Sequence, residues 1–471
     1  MSDNTRRRHR ADPADLFQSL ESRIHLAYSS SFTAQFAGGG NFDPAAVTTD
    51  QLGNVYVMGH FNGVVDFNPA RSKILNRDSA LGSIFVAKFS SIGQLFWAGQ
   101  FGKFDTVANS MAVDADGSVY VGGAFTGATD FDPDPNLTSN LTPAGGADAF
   151  LLKITTTGQL AWANKVGGTA NESVAGVTVD GPGYAYLAGT SAGGTKTAFL
   201  SKFSAKGKSI AADTFGNGSA NTDLTAITAD ASGNVYLAGS VSAGGVDLDP
   251  SPTAAHALAA AGRLIFKLTP DNAYAWADPF AASGIDFTRL ATDGAANLYA
   301  AGKYSGAADF NPSSRKAYAI TSAGGTDAFV LNLTSGGSFA FARSIGSAGN
   351  ETADELAVDP ARGDLLVTGR FQGKTYFNPG FSAYRLYSAG GDDAFLARYS
   401  SAGVFQEAAQ FGNADNDGAA HLAVGTTSSV FLAGSLSGSL AIDFDPGPVR
   451  HRLANSNPGD TDGYFVKLLL A

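Results

Sequence analysis

The residues with the most chemical potential in this chain are paired oxygen donors spaced two apart. They occur as Asp66-Phe-Asn68-Pro, Asp130-Phe-Asp132-Pro-Asp134, Asp247-Leu-Asp249-Pro, Asp309-Phe-Asn311-Pro and Asp443-Phe-Asp445-Pro. In an extended segment residues i and i+2 face the same way, so two carboxylate or amide oxygens point together while the residue between them turns to the core. The proline ends the strand. Such oxygen pairs suit a hard cation, and calcium takes about 6–8 oxygen ligands. The same residues also make strand-ending turns in which Asp accepts from loop amides. One copy reads Tyr376-Phe-Asn378-Pro and another lacks the motif, so an ion in every repeat is not required. Both readings stand at this point, with Asp66, Asn68, Asp130, Asp132, Asp134, Asp247, Asp249, Asp309, Asn311, Asp443 and Asp445 as the candidate metal ligands and calcium as the candidate ion.

Other chemistry is thin. The chain has no cysteine, which excludes disulfides, thiolate nucleophiles and Cys-ligated metals. The six histidines include no i, i+4 pair of the helical zinc type. There is no phosphate-binding glycine loop. No catalytic residue is therefore assigned. The net charge of −11 argues against a nucleic-acid partner, because phosphate binding needs clustered Lys and Arg. No apolar run of 18 residues is present, so no transmembrane helix is expected.

The elements that carry these motifs are repeats. Seven segments share one pattern and end at Gly59, Gly123, Gly189, Gly239, Gly302, Gly369 and Gly434. GNVYVMG and GNVYLAG are examples. Each is a short apolar run bounded by turn residues, the signature of a strand. A second set of seven follows, as in FVAKF (85–89) and FLLKI (150–154), and then an aromatic strand such as LFWAGQF (95–101). Before the first-set strands sits a run that ends in Asp, as at Asp114, Asp180 and Asp230, except in copy seven, where Gly425 stands. Each repeat thus holds four strands, a to d, and four consecutive antiparallel strands make one propeller blade.

The seventh c-strand, YFVKLLLA, has no d-strand after it. An orphan segment, Phe32-Thr-Ala-Gln-Phe36, matches Trp97-Ala-Gly-Gln-Phe101. The N-terminal segment is therefore expected to complete the last blade and so remove the open edge of a linear array. The expectation is an all-β chain: a basic leader or tail over 1–26, then a single seven-bladed β-propeller over 27–471, closed by that N-terminal strand.

Topology then sorts the loops. The a–b turns read Asp-x-x-Gly at Asp50, Asp114, Asp180 and Asp230, a type I turn signature, and are read as structural. The b–c loops and the d-to-a loops share the opposite face. Asp43, Asp105, Glu172, Asp223, Glu351, Asp415 and Asp417 fall in the latter and are expected to form an acidic rim there. His60 and His421 fall near the same face. The recurring c-strand cations Lys88, Lys153, Lys202, Lys267, Arg398 and Lys467 are expected to lay their stems between blades and pair with Asp or solvent. Trp97, Trp162 and Trp276 recur in phase and are expected in the core.

On these strands the repeat resembles the SBBP family of bacterial β-propeller repeats. The matching features are Asp114-Ala-Asp-Gly-Ser-Val-Tyr-Val-Gly-Gly, Ala149-Phe-Leu-Leu-Lys153 and Gln159-Leu-Ala-Trp162, recurring over roughly residues 30 to 471. Residues 1–30, with Arg6-Arg7-Arg8-His9-Arg10 and Phe17-Gln-Ser-Leu-Glu-Ser-Arg23-Ile-His-Leu26, resemble the short leader of planctomycete-type extracellular proteins. The resemblance implies a secreted or cell-surface location. The function expected is a non-enzymatic binding or structural scaffold, monomeric, with an extracellular protein or glycan partner and possible stabilisation by calcium on the acidic face. The alternative is an extracellular carbohydrate-active hydrolase or lyase with carboxylates at the channel mouth.

Overall fold

A computed structural model describes residues 28–38, 40–67, 74–77, 83–102, 106–216, 218–251, 253–280, 284–313, 315–378, 384–415, 417, 421–436, 440–445, 451–456 and 461–470. The leader over 1–26 lies outside the described residues, as do Asn68 and Asp105. No helix occurs among the described residues.

Seven four-stranded antiparallel sheets form the ring. Blade 1 comprises Phe42–Thr49, Val55–Phe61, Ser83–Phe89 and Leu95–Phe101. Blades 2 to 6 repeat it over 106–166, 171–215, 222–280, 285–345 and 352–411. In blade 7 His421–Val424, Ser429–Leu436 and Asp462–Leu470 supply strands a to c. The outer strand is Tyr28–Gly38, which pairs antiparallel with the last strand of the chain, Phe32 opposite Lys467 and Phe36 opposite Gly463. The predicted closure is therefore present, and the orphan segment is strand d of the last blade.

The b- and c-strands are central and packed on both faces, which is why they read as unbroken apolar runs. The buried apolar side chains of the described residues fall into seven clusters, each bridging two neighbouring blades. A blade alone would leave both faces wet; the seams bury them.

One contact recurs along the outer seams. The d-strand aromatic of one blade lies over the left-handed glycine of the next blade's c–d turn. Gly158 has φ +85°, and an added Cβ would sit 2.8 Å from the Trp97 ring. Trp162 covers Gly207, Trp276 covers Gly337, Phe341 covers Gly403, and Phe32 covers Gly93 across the closure. The indoles also donate to that turn: Trp97 Nε1 to the Thr156 carbonyl at 2.9 Å, Trp162 to Ala205 at 3.2 Å and Trp276 to Ser335 at 3.3 Å. These tryptophans are thus half-buried seam clamps. Blade 3 has Ala211 in the aromatic position, and the facing turn of blade 4 has Asn272 at φ 64° in place of glycine, with its amide on Asp213.

The opposite face is held by a second device. Asp50 Oδ1 accepts from the amides of Leu52 and Asn54, closing the a–b turn, while Tyr56 donates to Asp50 Oδ2 at 3.0 Å. Lys88 lies 3.5 Å from the same oxygen and over the Tyr56 ring. Blade 2 repeats this with Asp114, Tyr120 and Lys153. In blade 7 Gly425 replaces the Asp, Phe431 replaces the Tyr, and Lys467 donates to the Ser91 carbonyl of blade 1 instead. The c-strand cations take the structural places expected of them.

On the b–c face the acidic rim needs correction. Glu172, Glu351 and Asp417 are buried, with Glu351 fully so. They plug the seams beside the buried c-strand carboxylates Asp148, Asp327 and Asp393 of the preceding blade. Glu351 accepts from the Ser347 amide at 3.1 Å and the Thr375 hydroxyl at 2.8 Å. Polar d-to-a loops suggested solvent, but blade-to-blade packing closes over these side chains. Burial pushes the Glu351 carboxyl up to about 7, Asp327 adding to the rise while the Thr375 and Ser347 hydrogen bonds oppose it. Burial likewise takes Asp417 up to about 6.

Two outcomes follow for the seams. Gly158→Ala should cost about 1–3 kcal/mol in urea unfolding. Gly183→Ala, at a similar φ of +88° but with open space around it, should cost about 1 kcal/mol or less. Trp97→Ala should remove most of the difference in a double-mutant cycle; equal costs for the two glycines would refute the clamp. A carboxyl whose folded pKa is raised is stabilising below its unfolded value and loses that contribution as pH rises through the folded value. Glu351→Gln should therefore match the wild type near pH 4 and exceed it above about pH 7, by on the order of 1–3 kcal/mol. A constant difference in Tm across that range would contradict the assignment.

Candidate functional site

The site begins with a backbone irregularity. Each described a-strand of blades 1 to 6 carries a β-bulge opposite the repeat glycine, for example between Ala108 and Ser110 facing Gly123. A Cβ on Gly123 would lie 2.0 Å from the Val107 carbonyl oxygen, and one on Gly302 would lie 1.9 Å from that of Asp286. Only glycine allows the a-strand backbone to come so close. The bulge re-aims the side chains just beyond it into the central channel, as bulges beside functional sites do.

The residue four before the a–b turn position, aligned through all seven blades, is Ala46, Ser110, Gly176, Ala226, Arg289, Glu355 and His421. Blades 1 to 4 place small residues there. Blades 5, 6 and 7 place a cation, an anion and an imidazole side by side. Arg289 donates from Nε to Glu355 Oε2 and from Nη2 to Glu355 Oε1, both at 2.7 Å. His421 Nδ1 lies 3.0 Å from Glu355 Oε1. Burial would raise the Glu355 carboxyl; the Arg289 guanidinium, with hydrogen bonds from His421 and Arg289, outweighs it and holds the pKa at about 2. Arg289 is stabilised as a cation in return, chiefly by Glu355.

An ionised carboxylate only accepts, so His421 Nδ1 carries the proton, and in the neutral form of the ring Nε2 is then an acceptor. Among the described residues His421 Nε2 has no partner, and Arg289 has none besides Glu355. A cavity of about 620 Å³ opens at this level toward the b–c face, with Asp43, His60, Asn109, Thr225, Arg289 and His421 in its wall. The channel continues below it past Thr48, Ser110, Thr178 and Thr228. His60 is committed to structure: the Ala108 amide donates to its Nε2 at 3.0 Å, tying blade 1 to blade 2, and burial lowers its pKa.

The oxygen-pair loops are placed elsewhere, at the blade tops and away from this wall. Their central residues Phe67, Phe131, Leu248, Phe310 and Phe444 are buried, as the alternation predicted. The first Asp closes its own loop. Asp130 Oδ1 accepts from the amides of Asp132 and Ser139, and Asp132 and Asp134 each accept from the amide two residues on. Asp247 Oδ1 accepts from Asp249 and His256, Asp309 Oδ1 from Asn311 and Tyr318, and Asp443 Oδ1 from Asp445 and His451. Asp249 also holds the His256 ring at 2.8 Å, Asn311 accepts from Ser313, and Asp445 accepts from Ser30 of the closing strand. Asp66 pairs in a short hairpin strand, Gly63–Asp66. Among the described residues no three acidic or histidine side chains converge as a metal cluster would.

Arg289 and Glu355 were not singled out from sequence, and His421 was noted without its partners. The signal was available: Arg289, Glu355 and His421 stand 66 residues apart in series, at the one a-strand position where the other four repeats are small.

No protein-family model matches the chain, and no curated protein matches it in sequence. Solved structures are similar to it at very low identity. A Dyadobacter fermentans protein of unknown function is 11% identical, with 94% of this chain and 100% of that one covered and a TM-score of 0.42. The polysaccharide lyase Uly1 is 9% identical, with 90% and 89% covered and a TM-score of 0.42. A subtype N10 neuraminidase-like protein from a little yellow-shouldered bat virus is 8% identical, with 94% and 97% covered and a TM-score of 0.37. These likenesses carry no functional argument; the seven-bladed β-propeller is established by the strand pairing of the chain itself.

Proposed function

We propose that this protein is a secreted or cell-surface, non-enzymatic binding scaffold whose ligand sits at the mouth of the central channel. The observation that carries this is the lopsided channel. Duplicated repeats have no structural need for charge on one sector only, and four blades do without it. Small residues in blades 1 to 4 leave room, while blades 5 to 7 supply polar groups fixed to rigid strands. The extracellular setting rests on the repeat and leader resemblances. Binding is favoured over glycoside hydrolysis because Glu355 is ionised and doubly engaged, so it cannot act as the general acid that hydrolysis requires.

The hydrolase or lyase reading keeps one observation in its favour. His421 is oriented by a carboxylate through Nδ1 and leaves Nε2 open, which is the arrangement of a general base.

The two readings separate in one comparison. The protein is applied to immobilised extracellular glycans and cell-surface proteins beside Thr225→Phe, which narrows the mouth at an exposed position. Retention by the wild type, at least tenfold weaker retention by Thr225→Phe, and no reducing ends released is the expected result. Reducing ends that disappear in His421→Ala would replace binding by catalysis. Retention that Thr225→Phe leaves unchanged would remove the channel mouth from the reading.

A further inference from the structure

The ligand class can be narrowed from the donors and acceptors that the triad leaves open, an argument that rests on the channel-mouth reading above. Arg289 spends Nε and one Nη2 hydrogen on Glu355. Its fork geometry leaves the two Nη1 hydrogens and the other Nη2 hydrogen as donors. His421 spends Nδ1 on the same carboxylate and, in the neutral form of its ring, offers Nε2 as an acceptor. The open edge of the triad therefore presents donors from blade 5 and one acceptor from blade 7, on either side of Glu355 of blade 6.

A ligand group that satisfies both must accept at one atom and donate at another. A carboxylate or phosphate accepts only, so it would leave Nε2 facing a lone pair. The surroundings also disfavour an anion: Asp43 and Glu355 lie in or beside the mouth, the Arg289 charge is already matched, and the chain carries −11 overall. An ammonium donates only and would meet the guanidinium. Two adjacent hydroxyls fit: one oxygen accepts from Arg289 while the other O–H donates to His421 Nε2. The remaining wall continues that chemistry with Thr48, Ser110, Thr178, Thr225 and Thr228, neutral hydroxyls that either donate or accept.

We propose that the Arg289–Glu355–His421 wall is a saccharide site that holds a vicinal diol of an uncharged sugar residue at the channel mouth. Glu355 touches no ligand in this arrangement. It is the positioning residue, turning Arg289 outward and fixing the His421 tautomer.

The test is saturation-transfer NMR with the full chain. The probes are D-glucose, D-galactose, D-mannose and L-rhamnose, with D-glucuronate and D-galacturonate as acidic counterparts. At least one neutral sugar should receive saturation and its counterpart acid at least tenfold less. His421→Asn keeps a donor toward Glu355 while removing the Nε2 acceptor, and should abolish the signal without a change in Tm beyond a few degrees. Thr225→Phe should abolish it by occlusion, with the triad untouched. The proposal is overturned if only the acids bind, if none of the six binds, or if a neutral sugar binds equally to both variants. In the first case the mouth still binds, and only the ligand class is wrong. In the other two the channel-mouth reading is judged separately, by the retention of non-sugar partners in the Thr225→Phe comparison.

Discussion

Everything in the channel depends on one close approach, that of an a-strand carbonyl to a b-strand glycine. Where a Cβ would stand on Gly59, Gly123, Gly189, Gly239, Gly302 or Gly369, a backbone oxygen lies at 1.8–2.2 Å. No other residue can occupy those positions without moving the strand. Once the a-strand is drawn in, two of its residues must face one on the b-strand, and the bulge is the result. The bulge turns the next side chain into the channel. Glycine in strand b thereby decides where Arg289 and Glu355 point, although it touches neither. Side chains of the bulged residues then tie the ring together: Asn109 donates to the Val174 carbonyl at 2.7 Å and Thr288 to that of Ala353 at 2.6 Å, each reaching the next blade.

The seams follow a similar logic of paired requirements. An aromatic ring over a left-handed turn leaves no space for a Cβ, so Trp and Gly must occur together on adjacent blades. They also lapse together. Ala211 leaves a space that Asn272 can occupy, and Asn is among the few residues that tolerate φ near +60°. Blade 7 draws strands c and d from opposite ends of the chain, so it has no c–d turn to cover. Blade 6 accordingly places Glu407 where the aromatic would be, paired with Arg398. The loss of Asp at Gly425 is matched in the same way by the loss of the Tyr hydroxyl at Phe431. Departures from the repeat thus come in spatial pairs.

That rule explains what was legible beforehand. Strands, blade count and closure were readable because each rests on seven in-phase copies, and the match of Phe32–Phe36 to Trp97–Phe101 needed only a comparison of the chain with itself. The turn Asp and c-strand Lys were readable for the same reason. The Asp130-Phe-Asp132 loops were ambiguous because an oxygen that can ligate an ion can equally accept two amides, and residue type alone does not separate these. Glu351 and Asp417 were placed on a rim because their loops are polar; their burial comes from the neighbouring blade, which local sequence does not display. Arg289, Glu355 and His421 escaped because each departs from the repeat once, and their contact exists only after the ring has brought positions 66 residues apart within 3 Å.

A charged triad in a half-buried channel is weak evidence for stability in its own right. Removing charges from water costs about as much as their attraction returns, and an apolar replacement of similar size is often as stable or more so. Four blades make the simpler choice with Ala46, Ser110, Gly176 and Ala226, and their seams still bury apolar clusters. The propeller therefore closes without the triad. What the triad adds is orientation. Glu355 accepts from both neighbours and so holds a guanidinium and an imidazole in fixed positions on blades 5 and 7, with their remaining polar edges turned to open space. Groups so held lose little freedom when a ligand docks, and that preorganisation is the benefit a binding site draws from rigid strands. The fold thus keeps its regularity where the ring must close and spends its irregularity where the channel opens.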